Sequence, residues 1–266
     1  MSNIYKSHVL VAKFIMRRFA FNNNGNGLFV SRLCLNDLKI INDPIKTLDT
    51  IENYYTEKAE LFLAKEIEMK MGETLKKIRN KLLKNKNDIK LNKDDALNIK
   101  RFFKYSLIRN REFINEVIDG SEMLNEVNGL NHSYFILNSG NIDFQLDNSS
   151  IYILINKSNS NFVCPHNLIY FVYIDNLNTI IPCITFDKKI VLGLCLNGKH
   201  NLISCSIFKD KTIVENINYF AYIMENSRKE SYIIGDKEDL EYIIMQEYKE
   251  EDFLKYGLNI QKKQSI

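Results

Sequence analysis

Apolar residues recur at a helical period through the first half of this chain and in short strand-like runs through the second. From Ile4 to Ala20, Val9, Val11, Phe14, Ile15 and Phe19 alternate with Lys13, Arg17 and Arg18, which predicts an amphipathic helix. Asn22 to Gly27 reads N-N-N-G-N-G, a turn. Gly27 to Cys34 and Leu38 to Ile41 then predict a short hairpin ended by Asp43-Pro44. Thr50 to Lys86 carries the longest helical signal. Leu61, Ala64, Ile67, Met71, Leu75, Ile78 and Leu82 follow at spacings of three and four, with Thr50 placed to cap the first turn. Asn92 to Val117 predicts a second long helix, opened by Asn92 and Asp95 as a cap, with Ala96, Ile99, Phe103, Leu107 and Ile108 as its buried stripe.

From about Gly120 the pattern changes. Repeated Asn, Gly and Ser turns separate short runs over Tyr134 to Leu137, Ile142 to Leu146 and Ile151 to Ile155, each predicting a strand. Phe162 to Leu194 and Leu202 to Phe208 continue in the same style. The stretch from Phe162 to Leu194 is expected at the centre of the fold, because strands on either side can pair with it. Thr212 to Glu225 returns to a helical pattern, Tyr232 to Ile234 predicts one more strand, and Lys237 to Tyr256 predicts an acidic helix.

The order of helices, then strands, then helices predicts an α+β fold rather than alternating βαβ units. The expected arrangement is a mainly helical half with a short hairpin, residues 1–128, packed on a mainly antiparallel sheet with C-terminal helices, residues 129–266. The two halves are expected to form one compact unit.

Composition narrows the function classes. The chain has 266 residues, is 45% hydrophobic and carries a net charge of +3, so it can bury a large core and has no global charge that draws it to nucleic acid or an anionic membrane. No apolar run is long enough to span a bilayer, and the polar N-terminus is not a signal peptide. The cysteines Cys34, Cys164, Cys183, Cys195 and Cys205 are odd in number and contain no C-x-x-C, which predicts reduced, buried thiols and a cytoplasmic protein.

Candidate chemistry is sparse. No phosphate-binding glycine loop, zinc-protease helix or nucleophile elbow is present. Cys164, His166, Cys183, Cys195, His200 and Cys205 are the densest reactive set, but their spacing matches no zinc motif, and core thiols with a loop histidine are the expected reading. Cys164 with His166 as nucleophile and base would require a bend, since residues two apart on a strand lie roughly 6–7 Å apart. His166-Asn167 at a strand end is the best polar pair, with a simple Asn turn as the alternative. Glu60 and Glu68 project to a similar side of the long helix, where inward carboxylates could do acid–base work and outward ones would pair with lysines. Arg109 and Arg111 are candidates for a buried ion pair or an anion site. The cluster from Lys76 to Lys86 is a possible nucleic-acid patch, although a solvated basic face is the more common use of such a run. No cofactor or metal is expected.

Several landmarks, taken in order, resemble a family of bacterial and phage proteins defined only as domain-of-unknown-function family 4238. The family opens with H-x-V-P-Q-x-Y-L-x-x-F, which His8 to Ala20 follows in its apolar framework and in Phe19, with Ala12 at the proline position. Tyr54-Tyr55, Glu60, Leu63 and Ile67-Glu68 resemble the family's aromatic pair, E-x-x-L and I-E, and Arg109 stands where a helix ends in arginine. Phe162 to Ile169 and Pro182-Cys183-Ile184 resemble F-I-T-S-D-N-P-V and P-L-S-P, with His166 at the aspartate and Leu168 at the proline. The resemblance implies a single intracellular module found on phage or mobile DNA, without an established reaction. Two functions are expected for this chain. One is a protein-interaction module in phage–host conflict. The other is a hydrolase or nuclease-like toxin using His166, Asn167, Glu60, Glu68 and Arg109 around a pocket where the helical half meets the sheet.

Overall fold

The computed structural model describes residues 6–8, 11–23, 25, 27–83, 91–110, 129–139, 146–195, 203–226, 228, 231–246 and 257–258. The chain is α+β and divides into two compact units. The first comprises Met1–Phe14 and Asp49–Asp147; the second comprises Ile15–Leu48 and Asn148–Ile266.

In the first unit, β1 (Lys6–His8) pairs antiparallel with β5 (Thr50–Glu52). The helix expected over Ile4 to Ala20 is therefore shorter: the chain enters as a strand, and α1 (Lys13–Phe19) begins only after it. Thr50, expected as a helix cap, belongs to that same strand pair. The cap is Thr56, whose side chain accepts from the amide of Ala59 and starts α2 (Glu57–Phe62). A π-helical turn, Leu63–Glu68, follows and leads into α3 (Met69–Leu83). Spacing explains the π turn. The buried residues Ala59, Leu63, Ile67, Met71 and Leu75 come at successive steps of four, and each such step overshoots an α-helical turn by about 40°. One widened turn absorbs the drift and keeps this row on one face.

Asn92 and Asp95 form the expected capping box at the start of α4 (Lys93–Arg109). The expected strand over Tyr134 to Leu137 is instead helical, within α5 (Gly129–Asn138). A four-residue apolar run does not distinguish the two periods, and packing decides: His132, Ile136 and Ser139 are buried at helical spacing. The expected strand from Ile142 to Leu146, the end of the second helix to Val117, and Arg111, Lys84 and Lys86 lie outside the described residues, apart from Leu146, which opens a short 3-10 turn.

The second unit holds two five-stranded sheets. One runs β11 (Ile203–Phe208), β6 (Ser150–Asn156), β10 (Ile190–Cys195), β9 (Thr179–Asp187), β8 (Ile169–Ile174). Its pairs are antiparallel except β11 with β6, which is parallel. The other runs β2 (Phe21–Asn22), β3 (Leu28–Cys34), β12 (Tyr232–Gly235), β7 (Cys164–Pro165), with β4 (Lys39–Pro44) on the free side of β3. The hairpin expected in the helical half is thus β3–β4 of this sheet, recruited by β12 from the far end of the sequence. Pro165 sits on the end strand β7, where its missing N–H costs no ladder bond. The helices α6 (Lys211–Asn226) and α7 (Lys237–Met245) complete the unit.

The core here joins Leu33, Leu154, Tyr170 and Ile181 from the two sheets, Phe162 from the loop before β7, and Phe220 from α6. Close packing leaves no side-chain room at Gly193, where a Cβ would come within 2.7 Å of Ile181.

A polar cluster closes the turn between β9 and β10. Lys189 Nζ donates to the carbonyls of Ser158 (2.8 Å) and Ser160 (2.9 Å), Lys188 pairs with Asp236 at 2.6 Å, and the Asn161 amide donates to Asp239. Burial, and then the neighbouring Asp236 charge, hold the Asp239 carboxyl above its ordinary range, against the pull of Asn161 and Lys189. The folded state therefore binds this proton more readily than the unfolded chain does, so ionised Asp239 costs stability at neutral pH and that cost fades as pH falls through its raised pKa. Asp239→Asn keeps an acceptor for Asn161 and is expected to be stabilising at pH 7. Its advantage over wild type should shrink toward pH 4, as read by urea unfolding at both values; a constant difference would refute this assignment.

Candidate functional site

The residues nominated by the sequence fall into two sets, each within its own unit. In the first unit the set gathers at the C-terminal turn of α4. Arg109 is buried, its side chain 6% exposed, and Nη1 donates to Glu68 Oε1 at 2.7 Å from the end of the π turn. The guanidinium also donates to the hydroxyl of Tyr55, and Glu60 lies within electrostatic reach of both. Burial alone would lower the pKa of Arg109; Glu68, Tyr55 and Glu60 more than reverse this and hold the charge. Burial pushes the Tyr55 hydroxyl up, against the opposing pull of Arg109, so the phenol stays protonated.

Beside it, the Tyr54 hydroxyl meets His132 Nδ1 at 3.0 Å, and His132 Nε2 meets the carbonyl of Ile108. A carbonyl only accepts, so Nε2 carries a proton and donates to Ile108, while Nδ1 and the Tyr54 hydroxyl share the other bond. The imidazole is fully buried. Ser133 Oγ accepts from the amide of Thr56 at 2.8 Å. The rings of Tyr54, Tyr55 and His132 pack edge to face, 4.8–5.7 Å apart. Together these contacts fasten the start of α2, the end of α4 and α5. His132 is absent from the sequence-based candidates, because the pattern around it predicts turn and strand; its helical spacing to Ile136 and Ser139 is the signal that points to it.

In the second unit, His166 and Asn167 follow the end strand β7. The His166 amide donates to Tyr232 O at 2.9 Å, and its ring stacks on that of Tyr232 at 4.1 Å and 26°. The Arg32 guanidinium lies 5.2 Å from the same ring and pairs with Asp43. The Asn167 amide donates to Glu225 Oε1 at 3.0 Å. Its side-chain oxygen, oriented toward Arg228, accepts from Nε at 3.1 Å, and Arg228 in turn reaches Glu225 at 3.3 Å. Glu225 is fully buried in the last turn of α6. Leu168 completes the turn at φ 63°, in the left-handed region.

No known family model, curated protein or solved structure matches this chain.

Cys164 is not poised as a nucleophile. Cys164 and Cys183 are fully buried, and burial pushes both pKa values far above the ordinary thiol range, which removes the thiolate that Cys164 would need as the partner of His166. Among the described residues no group of three His, Cys, Asp or Glu side chains is placed to hold a metal ion, and His200 lies outside them. On the basic helix, Lys77 is committed to Asp95 at 2.6 Å. No described helix is long and apolar enough to cross a membrane.

Proposed function

We propose that this chain is a non-catalytic interaction module that takes an extended, apolar segment of a partner protein along the β4 edge of its second unit. The observation that carries the reading is the set of exposed apolar side chains on β3, β4 and the turn between them. Leu28, Leu38 and Ile41 are 43%, 46% and 38% exposed, and β4 pairs with β3 alone among the described residues. An edge strand with exposed apolar side chains offers both unpaired backbone groups and a surface to cover, which is the chemistry of strand addition. The internal commitments of Arg109, Glu68 and Asn167 support the same reading, since these groups already stabilise their own units. The link to phage or mobile-element conflict rests on the resemblance to family 4238.

Leu28→Glu with Ile41→Lys alters exposed positions and is expected to leave the melting temperature nearly unchanged. Partner capture by the wild type should fall at least about tenfold in this variant. Equal capture by both proteins would count against the edge as the binding surface. Growth arrest on induced expression that is relieved by His166→Ala, with folding intact, would favour the hydrolase or toxin reading instead.

A further inference from the structure

Alongside the buried ion pair of the first unit, α4 and the helix through the π turn frame a cavity of about 310 Å³. Phe62, Glu66, Ile67, Arg101, Lys104 and Tyr105 line it. Its inner wall is apolar: Ile67 and Tyr105 are buried, and the Phe62 and Tyr105 rings meet edge to face at 5.3 Å. Its rim is charged. Residues 101, 104 and 105 share one face of α4, so two cations stand next to one aromatic ring. The carboxylate on the rim, Glu66, pairs with Lys70 at 2.6 Å and lies within electrostatic reach of Arg101. An aromatic wall therefore lies beneath a rim of two cations and one carboxylate.

A second observation points to the same place. Glu66 and Ile67 belong to the π turn, which interrupts α-helical geometry between α2 and α3, and such turns concentrate at functional sites because they displace side chains from the regular helical face. Glu68, at the end of the turn, is fixed by buried Arg109, which holds the cavity wall in register.

We propose that this cavity binds a small planar aromatic molecule bearing one phosphate group. The ring would add to the edge-to-face cluster of Phe62 and Tyr105, and the phosphate would sit between Arg101 and Lys104, where a guanidinium offers paired donors. The volume lies at the lower end for ligand pockets, which suits one ring system and one anionic group and excludes a dinucleotide. This site is independent of the partner-binding edge, so either can fail without the other.

The test is calorimetric titration of the full chain with adenosine 5′-monophosphate and phenyl phosphate, alongside adenosine, benzoate and inorganic phosphate. At least one ring phosphate is expected to bind with a Kd at or below about 1 mM, with adenosine and inorganic phosphate at least tenfold weaker. Benzoate binding as tightly as phenyl phosphate would overturn the phosphate assignment in favour of a carboxylate. Arg101→Gln, at an exposed position, should weaken binding about tenfold without shifting the melting temperature. Phe62→Leu, which keeps the wall apolar, should weaken ring phosphates while leaving any residual phosphate binding unchanged. Absence of binding by both ring phosphates at 5 mM-scale concentrations, about the top of the practical range, or binding indifferent to Arg101→Gln, would refute the proposal.

Discussion

Glu68→Ala is expected to destabilise the first unit by about 3–5 kcal/mol, the largest effect of any single substitution considered for it. The loss comes from what remains rather than from what is removed. Arg109 is buried at the end of α4 and stays charged, so deleting its carboxylate strands a cation away from water. Arg109→Met alone should cost less, since Glu68 is 23% exposed and can recover hydration. The double variant Glu68→Met with Arg109→Met is expected to regain most of the stability lost by Glu68→Ala, because an apolar pair carries no desolvation penalty. Urea unfolding of wild type, Glu68→Met, Arg109→Met and the double variant completes the cycle, with Glu68→Ala beside it for comparison. If the double variant is as unstable as Glu68→Ala, the pair contributes through its hydrogen bonds with Tyr55 rather than through charge compensation.

Glu225→Ala is expected to cost the second unit about 2–4 kcal/mol. Oε1 of this fully buried carboxylate receives both the Asn167 amide and Arg228. Its removal leaves the amide without its acceptor and Arg228 without its counter-charge. The segment that reverses between β7 and β8, including left-handed Leu168, loses its anchor at the same time. Hydrogen exchange at the Asn167 amide should accelerate by more than the global stability change predicts, showing local opening. Glu225→Gln retains an acceptor for the amide and should fall between wild type and alanine. Uniform acceleration of exchange across the unit would show that the carboxylate supports the whole fold and not this turn in particular.

The fold is legible in the sequence where local chemistry coincides with burial. The Asn92–Asp95 capping box, the helical row from Ile67 through Ile78 and the α6 helix carry a period and a boundary that need no distant partner, and the strands from β8 to β10 read as apolar runs bounded by polar turns. It is least legible where a distant segment decides the local structure. Residues 6–8 form a strand because β5 is there to pair with them, and residues 134–137 are helical because His132, Ile136 and Ser139 bury together. The parallel pairing of β11 with β6 and the capture of β3 by β12 depend on contacts far apart in the sequence, for which a single chain carries no signal. The polar residues divide in the same way. Glu68, Arg109 and Asn167 stand out as polar groups in apolar settings. The partners that explain them, Tyr55, Glu225 and Arg228, come from other elements and have no chemical signature of their own.

The sheet built around β3 also sets the timing of synthesis. Cys34 pairs with Tyr232, so 198 residues must leave the ribosome before β3 meets β12. At 5–20 residues per second the β3–β4 hairpin waits roughly 10–40 s with the apolar face of Leu33 and Ile40 uncovered. Asp49 to Asp147, the bulk of the first unit, emerges entirely within that interval. The hairpin is thus the segment most exposed to aggregation and to chaperone capture during translation, and slowing the ribosome before Tyr232 would lower the yield of folded protein more than slowing it after.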